Sequence, residues 1–426
     1  MKLVCAPEDH DFEAGVSGDL DIVLYGHTDK PDTGSVGATA RNIIQRRKLQ
    51  PAAQAWDLLS IALSVIAADV AVRRDDSPDG WTRRLDLHVA VSDPVFWTTQ
   101  SNLLVRQLQF LTTDIWTVTF LGGGLQPVPA KPPAKPDQDC AVLLSGGLDS
   151  LIGTIDLVNA HGRKPYAVSQ VSQGDKTKQS FFASEIGGGL AHLQLNHNAE
   201  CPGENERSQR ARSIIFLAYG VLMATALERY HEGEEVTLYV CENGFISINP
   251  PLTSARLGSL TTRTTHPVYI RLFRELLDAA GLRVKLESPY QFQTKGEMLK
   301  GCVDQAFIRK YAHTTTSCGR YARNAHKHCG RCLPCLIRRA AFHAWGVKDK
   351  THYVFTDLSR DDEEHARYDD VRSAAMAVAA AKAEGVSNWA GPSLSTSLLG
   401  DVSCYKAVVG RGLDELGTFL KAAGVT

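Results

Sequence analysis

Hydrophobic and polar positions change rhythm along this chain, and the changes mark out its regions. Leu20-Asp21-Ile22-Val23-Leu24-Tyr25 is an apolar run of strand length, Gln54 to Val70 repeats apolar residues at helical spacing, and Arg84-Leu85-Asp86-Leu87-His88-Val89-Ala90-Val91 alternates as a half-buried strand does. A helix near Thr99–Thr112 and a strand near Ile115–Phe120 complete an expected N-terminal α+β domain over residues 1–125. Pro127, Pro129, Pro132, Pro133 and Pro136 then stiffen an extended linker, residues 126–138. From Cys140 short apolar runs at 140–144, 165–171, 191–195, 236–241 and 283–287 alternate with helical patterns at 149–160, 177–188, 208–230 and 267–280. That alternation predicts an α/β fold, a Rossmann-like and mainly parallel sheet covered on both faces, with ligands bound beyond the carboxyl ends of the strands. Residues 139–346 hold this pattern, and 347–426 reads as a C-terminal helical extension: Val371–Glu384 is Ala-rich, and 403–423 offers further helix. Asp357 to Asp370 is a strongly charged surface stretch, and the extension as a whole is expected to serve packing or partner contacts.

Composition narrows the class without naming a ligand. Of 426 residues 43% are hydrophobic, which supports real cores and excludes wholesale disorder. A formal net charge of -1 leaves no global basic surface and no general case for nucleic-acid binding. Arg73-Arg74 and Arg83-Arg84 are expected to be ordinary solvated charge. The most apolar window, Leu58 to Val72, carries Asp69 and falls short of a membrane span, and the opening Met1–Asp9 is too acidic for a signal peptide. The expectation is a cytoplasmic protein without a membrane partner.

Two clusters carry chemistry. Ala141-Val142-Leu143-Leu144 suits an interior parallel strand and runs directly into Ser145-Gly146-Gly147-Leu148-Asp149-Ser150. Two glycines let backbone approach an anion, the serines add hydroxyls, and a helix opening near Asp149 aims its free N–H groups at the same point. Neither a Walker loop nor a Gly-x-Gly-x-x-Gly dinucleotide loop is present. The second cluster gathers four of the ten cysteines, Cys318, Cys329, Cys332 and Cys335, with two residues between successive members of the last three. Such spacing lets thiolates converge on one ion, and four of them close a tetrahedral structural zinc site. His326 or His328 in place of Cys318, an iron–sulfur cluster, and unligated cysteines are the competing readings.

These residues support a resemblance. Ser145–Ser150 looks like the pyrophosphate loop (PP-loop) of the ATP-pyrophosphatases that adenylate their substrates, an adenine-nucleotide alpha-hydrolase type of fold. Cys329-Gly330-Arg331-Cys332-Leu333-Pro334-Cys335-Leu336-Ile337-Arg338-Arg339, preceded by Ser317-Cys318, resembles the zinc segment of the 7-cyano-7-deazaguanine synthases, the QueC-like proteins. Ala211-Arg212-Ser213-Ile214-Ile215-Phe216-Leu217 is similar to that family's Ala-Arg-Asn-x-Ile-Phe-Leu helix start, and Thr294-Lys295-Gly296-Glu297 to its Thr-Lys-Ala-Glu segment. Where the synthases carry an Asp-x-Ser-Gly-Tyr-x-Asp-Cys type segment, this chain has Cys241-Glu242-Asn243-Gly244-Phe245-Ile246-Ser247-Ile248-Asn249-Pro250. The layout, with an added N-terminal domain, most resembles the synthase-like proteins of bacterial anti-phage defence systems, particularly the QatC group.

The resemblance implies an ATP-dependent carbon–nitrogen ligase that adenylates 7-carboxy-7-deazaguanine or a close analogue before an amine attacks. It implies ATP, Mg²⁺ and structural Zn²⁺ as cofactors. Ser145, Gly146, Gly147, Leu148, Asp149 and Ser150 would cradle phosphates, with Asp149 also holding Mg²⁺; Arg212 and Lys295 would neutralise phosphoryl charge, and Glu297 would orient Lys295 or hold Mg²⁺. Glu242, Asn243 and Phe245 are the candidates for substrate recognition, and the four cysteines for metal. The altered segment points to an acceptor amine on a partner protein of the same defence system, against conventional nitrile synthesis with ammonia. A non-catalytic nucleotide-sensing scaffold subunit is the reading from a different class.

Overall fold

In the computed structural model, residues 1–10, 12, 18–125, 127–128, 130–171, 174–253, 263–359 and 370–425 are described. Their strands form two five-stranded sheets, parallel throughout. In the first, β1 (Lys2–Pro7), β2 (Leu20–Leu24), β3 (Thr33–Val36), β4 (Arg84–Ala90) and β5 (Ile115–Leu121) lie in the order β3-β2-β1-β4-β5. In the second, β6 (Cys140–Leu143), β7 (Pro165–Gln170), β8 (His192–Leu195), β9 (Val236–Tyr239) and β10 (Val284–Glu287) lie in the order β10-β9-β6-β7-β8. Each sheet therefore puts its first strand in the middle, the next two to one side and the last two to the other. The N-terminal region is α/β rather than the expected α+β. Alternation along β4 reveals a half-buried strand but carries no information about the direction of its neighbours.

Two helices fill the space between the sheets. α1 (Ala53–Ala71) is long and apolar enough to cross a membrane, yet it is buried along almost its whole length. Its neighbour α5 (Arg212–Ala224) is equally apolar, and the two pack together. One hydrophobic core runs from Leu3 and Ile22 through Leu58 and Ile66 of α1 and Ile215 and Leu222 of α5 to Leu143 and Leu238. Truncating such a leucine to alanine costs about 2–5 kcal/mol. Beside this core, α2 (Ser101–Thr112) packs on α6 (Pro267–Ala279), where Gln107 Nε2 donates to the Leu272 carbonyl at 2.8 Å. The other face of β6 turns Val142 and Leu144 towards α3 (Leu148–Asn159), α7 (Lys295–Gly301) and α8 (Leu333–Trp345).

The C-terminal helices expected near 371–384 and 403–423 are α9 (Asp370–Glu384) and α10 (Val402–Ala422), which build a third core with α8 and the 245–252 segment. Residues 360–369 of the charged stretch, and Gln126 and Pro129 of the linker, lie outside the described residues.

One expectation holds for only two of its four residues. Arg84 is exposed and Arg73 pairs with Asp75 and Glu204 at the surface, but Arg74 and Arg83 are not solvated: they are 2% and 1% exposed. Arg74 grips both oxygens of Asp114 at 2.8 and 3.1 Å, while Arg83 bonds Asp69 at 2.7 Å and Asp114 at 2.6 Å. Asp69 Oδ2 also accepts from the backbone N–H groups of Arg210 at 2.6 Å and Ala211 at 2.8 Å, immediately before α5. Asp114 lies 40 and 31 positions from the two arginines and Asp69 sits inside an apolar run, so the charge run by itself looked like surface.

Candidate functional site

The second sheet reverses its winding between β6 and β9, and a crevice of this kind outside the carboxyl ends is where open α/β sheets take ligands. The loop after β6 turns through Gly146 at φ +85°, a conformation that glycine adopts without steric cost. Within it the Ser145 and Ser150 hydroxyls lie 3.0 Å apart, and the Gly147 N–H donates to Ser145 Oγ at 3.2 Å. Helix α3 begins at once, with Gly147 as N-cap and no side chain covering its first turn. Its leading N–H groups are left for an anion. The side chain of Leu148 is buried beneath the loop.

Asp149 sits in that first turn, 4% exposed. One carboxylate oxygen pairs with Lys295 Nζ; the other accepts from Asn243 Nδ2 at 2.6 Å and from the Asn243 backbone N–H at 3.2 Å. Burial alone would raise its pKa, but the Lys295 ammonium, helped by hydrogen bonds, outweighs it and holds the carboxyl at about 2. Glu242 goes the other way: burial, then the adjacent Asp149 charge, pushes its pKa well above the ordinary carboxylate value. The two carboxyls thus favour one negative charge between them, balanced by Lys295.

A cavity of about 440 Å³ opens beside this pair, lined by Ser145, Gly147 and Ser150 from the loop, Arg212 and Phe216 from α5, Glu242 after β9, and Thr316–Cys318. Arg212 is exposed and has no ion pair among the described residues. A smaller adjoining space of about 230 Å³ reaches Asp149 and Lys295. Loop, Asp149, Lys295, Arg212 and Glu242 are therefore brought together.

Three of the expected site residues are placed elsewhere. Glu297 caps its own helix, accepting from the Thr294 N–H at 2.8 Å, and pairs with Arg411 of α10 at 2.5 Å. At the third helical position it points back to the cap, away from Lys295. Asn243 is fully buried, with its amide donating to Asp149 and its carbonyl oxygen accepting from the Ile246 N–H at 3.0 Å. It holds Asp149 instead of lining the cavity. The short helix Gly244–Ser247 turns Phe245 into the C-terminal core, where it is 2% exposed and its ring lies against Gly412. No face of that ring is free to stack. Both oxygens of Asp149 are paired within the protein, one with Lys295 and the other with Asn243.

Other residues of the site were not singled out by the sequence, though Arg338 lies inside the Cys329–Arg339 motif. Thr316 donates its backbone N–H to the Gly146 carbonyl at 3.0 Å and accepts from Lys178 Nζ at 2.7 Å. Gln179 Nε2 donates to the Ser145 carbonyl at 3.1 Å. Arg338, fully buried, donates to Thr315 Oγ1 at 2.8 Å and to the Ala312 carbonyl at 2.6 Å, fixing the strand of chain that closes the cavity.

Cys318, Cys329, Cys332 and Cys335 are buried with all four sulfurs within 4.8 Å of one another. Cys318 and Cys332 sulfurs are 3.8 Å apart, and Cys329 and Cys335 sulfurs 3.9 Å. A tetrahedron with zinc–sulfur bonds of about 2.3 Å has edges of about 3.8 Å, so the donor set fits a closed four-thiolate site. Backbone N–H groups of Cys329 and Cys332 donate to Cys318 and Cys329 sulfurs at 3.3 and 3.2 Å, as suits thiolates. His328 instead accepts from the Ser317 N–H at 3.2 Å, and neither it nor His326 joins the cluster.

Comparison with known proteins places a likeness on part of this site. The sequence model of the family described as "Queuosine biosynthesis protein QueC" matches residues 264–346. The 7-cyano-7-deazaguanine synthases of Brucella ovis, Brucella canis and Brucella suis are each 40% identical to this chain over 77 residues, 18% of this chain and 31% of theirs. The chain thus matches about a third of the length of these curated relatives. No solved structure matches it. The similarity is to QueC-like proteins, over the segment that brings Lys295 and all four cysteines.

Proposed function

We propose that this chain is a PP-loop ligase that uses ATP to adenylate the carboxylate of 7-carboxy-7-deazaguanine or a close analogue and passes the acyl group to an amine. The observation that carries the reading is the buried Asp149–Lys295 pair beside an uncapped helix N-terminus, at the switch point of a parallel sheet, in a cavity whose wall includes Cys318. A carboxylate resists attack because the nucleophile adds negative charge to it; esterification to AMP removes that obstacle and supplies a leaving group. The substrate oxygen attacks the α-phosphorus, and pyrophosphate departs with the bonding electrons. The free N–H groups of α3 and the serines of the loop stabilise the phosphoryl oxygens, Arg212 adds charge from across the cavity, and Lys295 meets the growing charge held in register by Asp149. The amine then forms the C–N bond as AMP leaves.

Zinc on the four thiolates would be structural, tying the 316–318 wall of the cavity to α8. Mg²⁺ arrives with ATP as its counter-ion. The acceptor in this reading is an amine on a partner protein of an anti-phage system in the cytoplasm; the replaced 241–250 segment, packed under α10, supports an acceptor other than ammonia. The test is pyrophosphate release dependent on 7-carboxy-7-deazaguanine, with mass spectrometry of all products and of candidate partners. Release with added mass on a partner supports the reading; ATP binding without any substrate-dependent release overturns it in favour of a nucleotide-sensing scaffold.

A further inference from the structure

A second cavity of about 280 Å³ adjoins the first and shares Val240, Glu242 and Thr265 with it. Its remaining walls come from α6, from the turn after β10 and from residues 398–405 of the C-terminal extension, which lie beyond the segment matched by the family. One side is aromatic: the Phe292 and Tyr405 rings meet with centroids 4.9 Å apart. The Tyr405 hydroxyl donates to Gln291 Oε1 at 2.9 Å, which orients the amide of a residue in the cavity wall. Glu242 stands at the junction with the first cavity. The two rings are tilted by 59°, and Arg271, Arg274 and Asp401 also line the cavity; aromatic side chains beside polar groups suit a planar heteroaromatic ring with a hydrogen-bonding edge.

We infer that this second cavity holds the ring of the carboxylate substrate, a planar heterocycle with a hydrogen-bonding edge, and that the 398–405 segment is part of the substrate's binding wall. The inference rests on the adenylation reading. Because Glu242 lines both cavities, a ring seated in the second lies next to the space that would hold an α-phosphate in the first. An acceptor amine, by contrast, has no need of an aromatic wall.

The experiment uses the full chain. Binding of 7-carboxy-7-deazaguanine is followed by calorimetry in the presence of a non-hydrolysable ATP analogue, with binding of the analogue itself as control. A Cβ at Gly400 meets no atom within 4 Å, so Gly400→Trp puts an indole into open space, while Gly400→Ala barely intrudes. Ser288→Trp fills the cavity from another wall, and Gln291→Leu removes the oriented amide without adding bulk. Both tryptophan variants are expected to weaken binding of the acid by at least about tenfold, and Gln291→Leu by about three- to tenfold, with analogue affinity unchanged and Gly400→Ala like the wild type. Unchanged acid affinity in all of these variants, with substrate-dependent pyrophosphate release intact, overturns the inference and leaves the adenylation reading standing. Unchanged acid affinity with loss of transfer to an amine assigns the cavity to the acceptor and also overturns it. A wild type that binds the ATP analogue but neither binds the acid nor releases pyrophosphate overturns the adenylation reading itself.

Discussion

The two sheets share one strand order, yet among the described residues only in the second does the central strand run straight into a helix N-terminus with a buried Asp149–Lys295 pair beside it. In the first, the carboxyl end of β4 is closed from within: Asp57 of α1 accepts from the Ser92 N–H and hydroxyl, both at 2.7 Å, and from Trp97 Nε1 at 2.9 Å. Strand β1 runs into Pro7-Glu8-Asp9, and among the described residues no helix opens directly after it. In the second, β6 runs into Ser145-Gly146-Gly147, α3 starts uncapped, and Asp149 faces Lys295. A buried carboxylate serves both, but in the first it satisfies neutral donors and ends there, whereas in the second it aims a cation at a cavity. The topology provides the crevice; a handful of residues decide whether anything binds in it.

The largest expected effect falls on the second half. Purified protein should carry about one zinc per chain, and Cys332→Ser should lose it, since structural zinc supplies on the order of 10 kcal/mol to the segments that it folds. Hydrogen exchange should then rise first over 312–345, with β1–β5 following only as the shared core fails. Full metal occupancy or unaltered exchange in Cys332→Ser would remove the cluster from the fold's supports. Next comes the junction: Arg83→Met leaves Asp69 without its ion-pair partner and Asp114 with Arg74 alone, and breaking one member of a buried ion network costs about 3–5 kcal/mol. Urea unfolding measures this loss, and because Asp69 also holds the chain before α5, the apparent affinity for ATP should weaken too.

A paired substitution tests the comparison most directly. Asp149→Ala is expected to lower substrate-dependent pyrophosphate release by about 10²–10³-fold even in the folded fraction, beside the stability lost by stranding the buried Lys295. Asp57→Ala should lower stability alone, leaving three donor groups unsatisfied at about 1–3 kcal/mol each while sparing turnover in the folded fraction. Equal effects of both substitutions on kcat would mean that the first switch point is part of the site after all.

Legibility followed locality. Strands β6 to β10 were readable to within a residue or two because each is a short apolar run bounded by polar or glycine turns. β3 was not, because Gly34 interrupts it: a Cβ there would lie 2.6 Å from Ile22 and 3.0 Å from the Glu200 carbonyl, so the close packing that needs glycine makes the run look like a turn. The expected helix over 208–230 shortens to α5 and a separate turn, Glu228–His231, since the backbone before Arg212 is taken by Asp69. In the site, the loop and the cysteines were legible as near-continuous motifs. The Arg411–Glu297 and Thr294–Glu415 contacts were not, being separated by 114 and 121 positions and carrying no pattern of their own.

The smallest expected effect is on acid stability, and it too should divide the halves. His192 and His197 are each held at about 4 and His266 at about 3, first by burial and then by the nearby Arg47, Arg212 and Arg263 guanidinium groups respectively. All three lie in the second half, on β8, just after it and at the start of α6. A histidine buried neutral takes its proton only in the unfolded chain as pH falls below its ordinary value of about 6.5. Its contribution is therefore complete above about pH 6.5 and is lost progressively towards pH 4. Asp149, with its folded value near 2, keeps its contribution until pH falls below about 4 and loses it on the way to 2. Between pH 7 and pH 5 the histidines lose their contribution, while Glu242, whose raised pKa costs stability wherever the unfolded carboxyl is ionised, regains part of its own: Tm should drop by at most a few degrees, and exchange corrected for intrinsic rate should accelerate in β6–β10 before β1–β5. His192→Gln, which keeps a partner for the Ser169 hydroxyl, should flatten part of that decline. If the first sheet opens earlier at pH 5, the weak point lies at the junction, where Arg83 and Asp114 meet, and the two halves are not independently sensitive to acid.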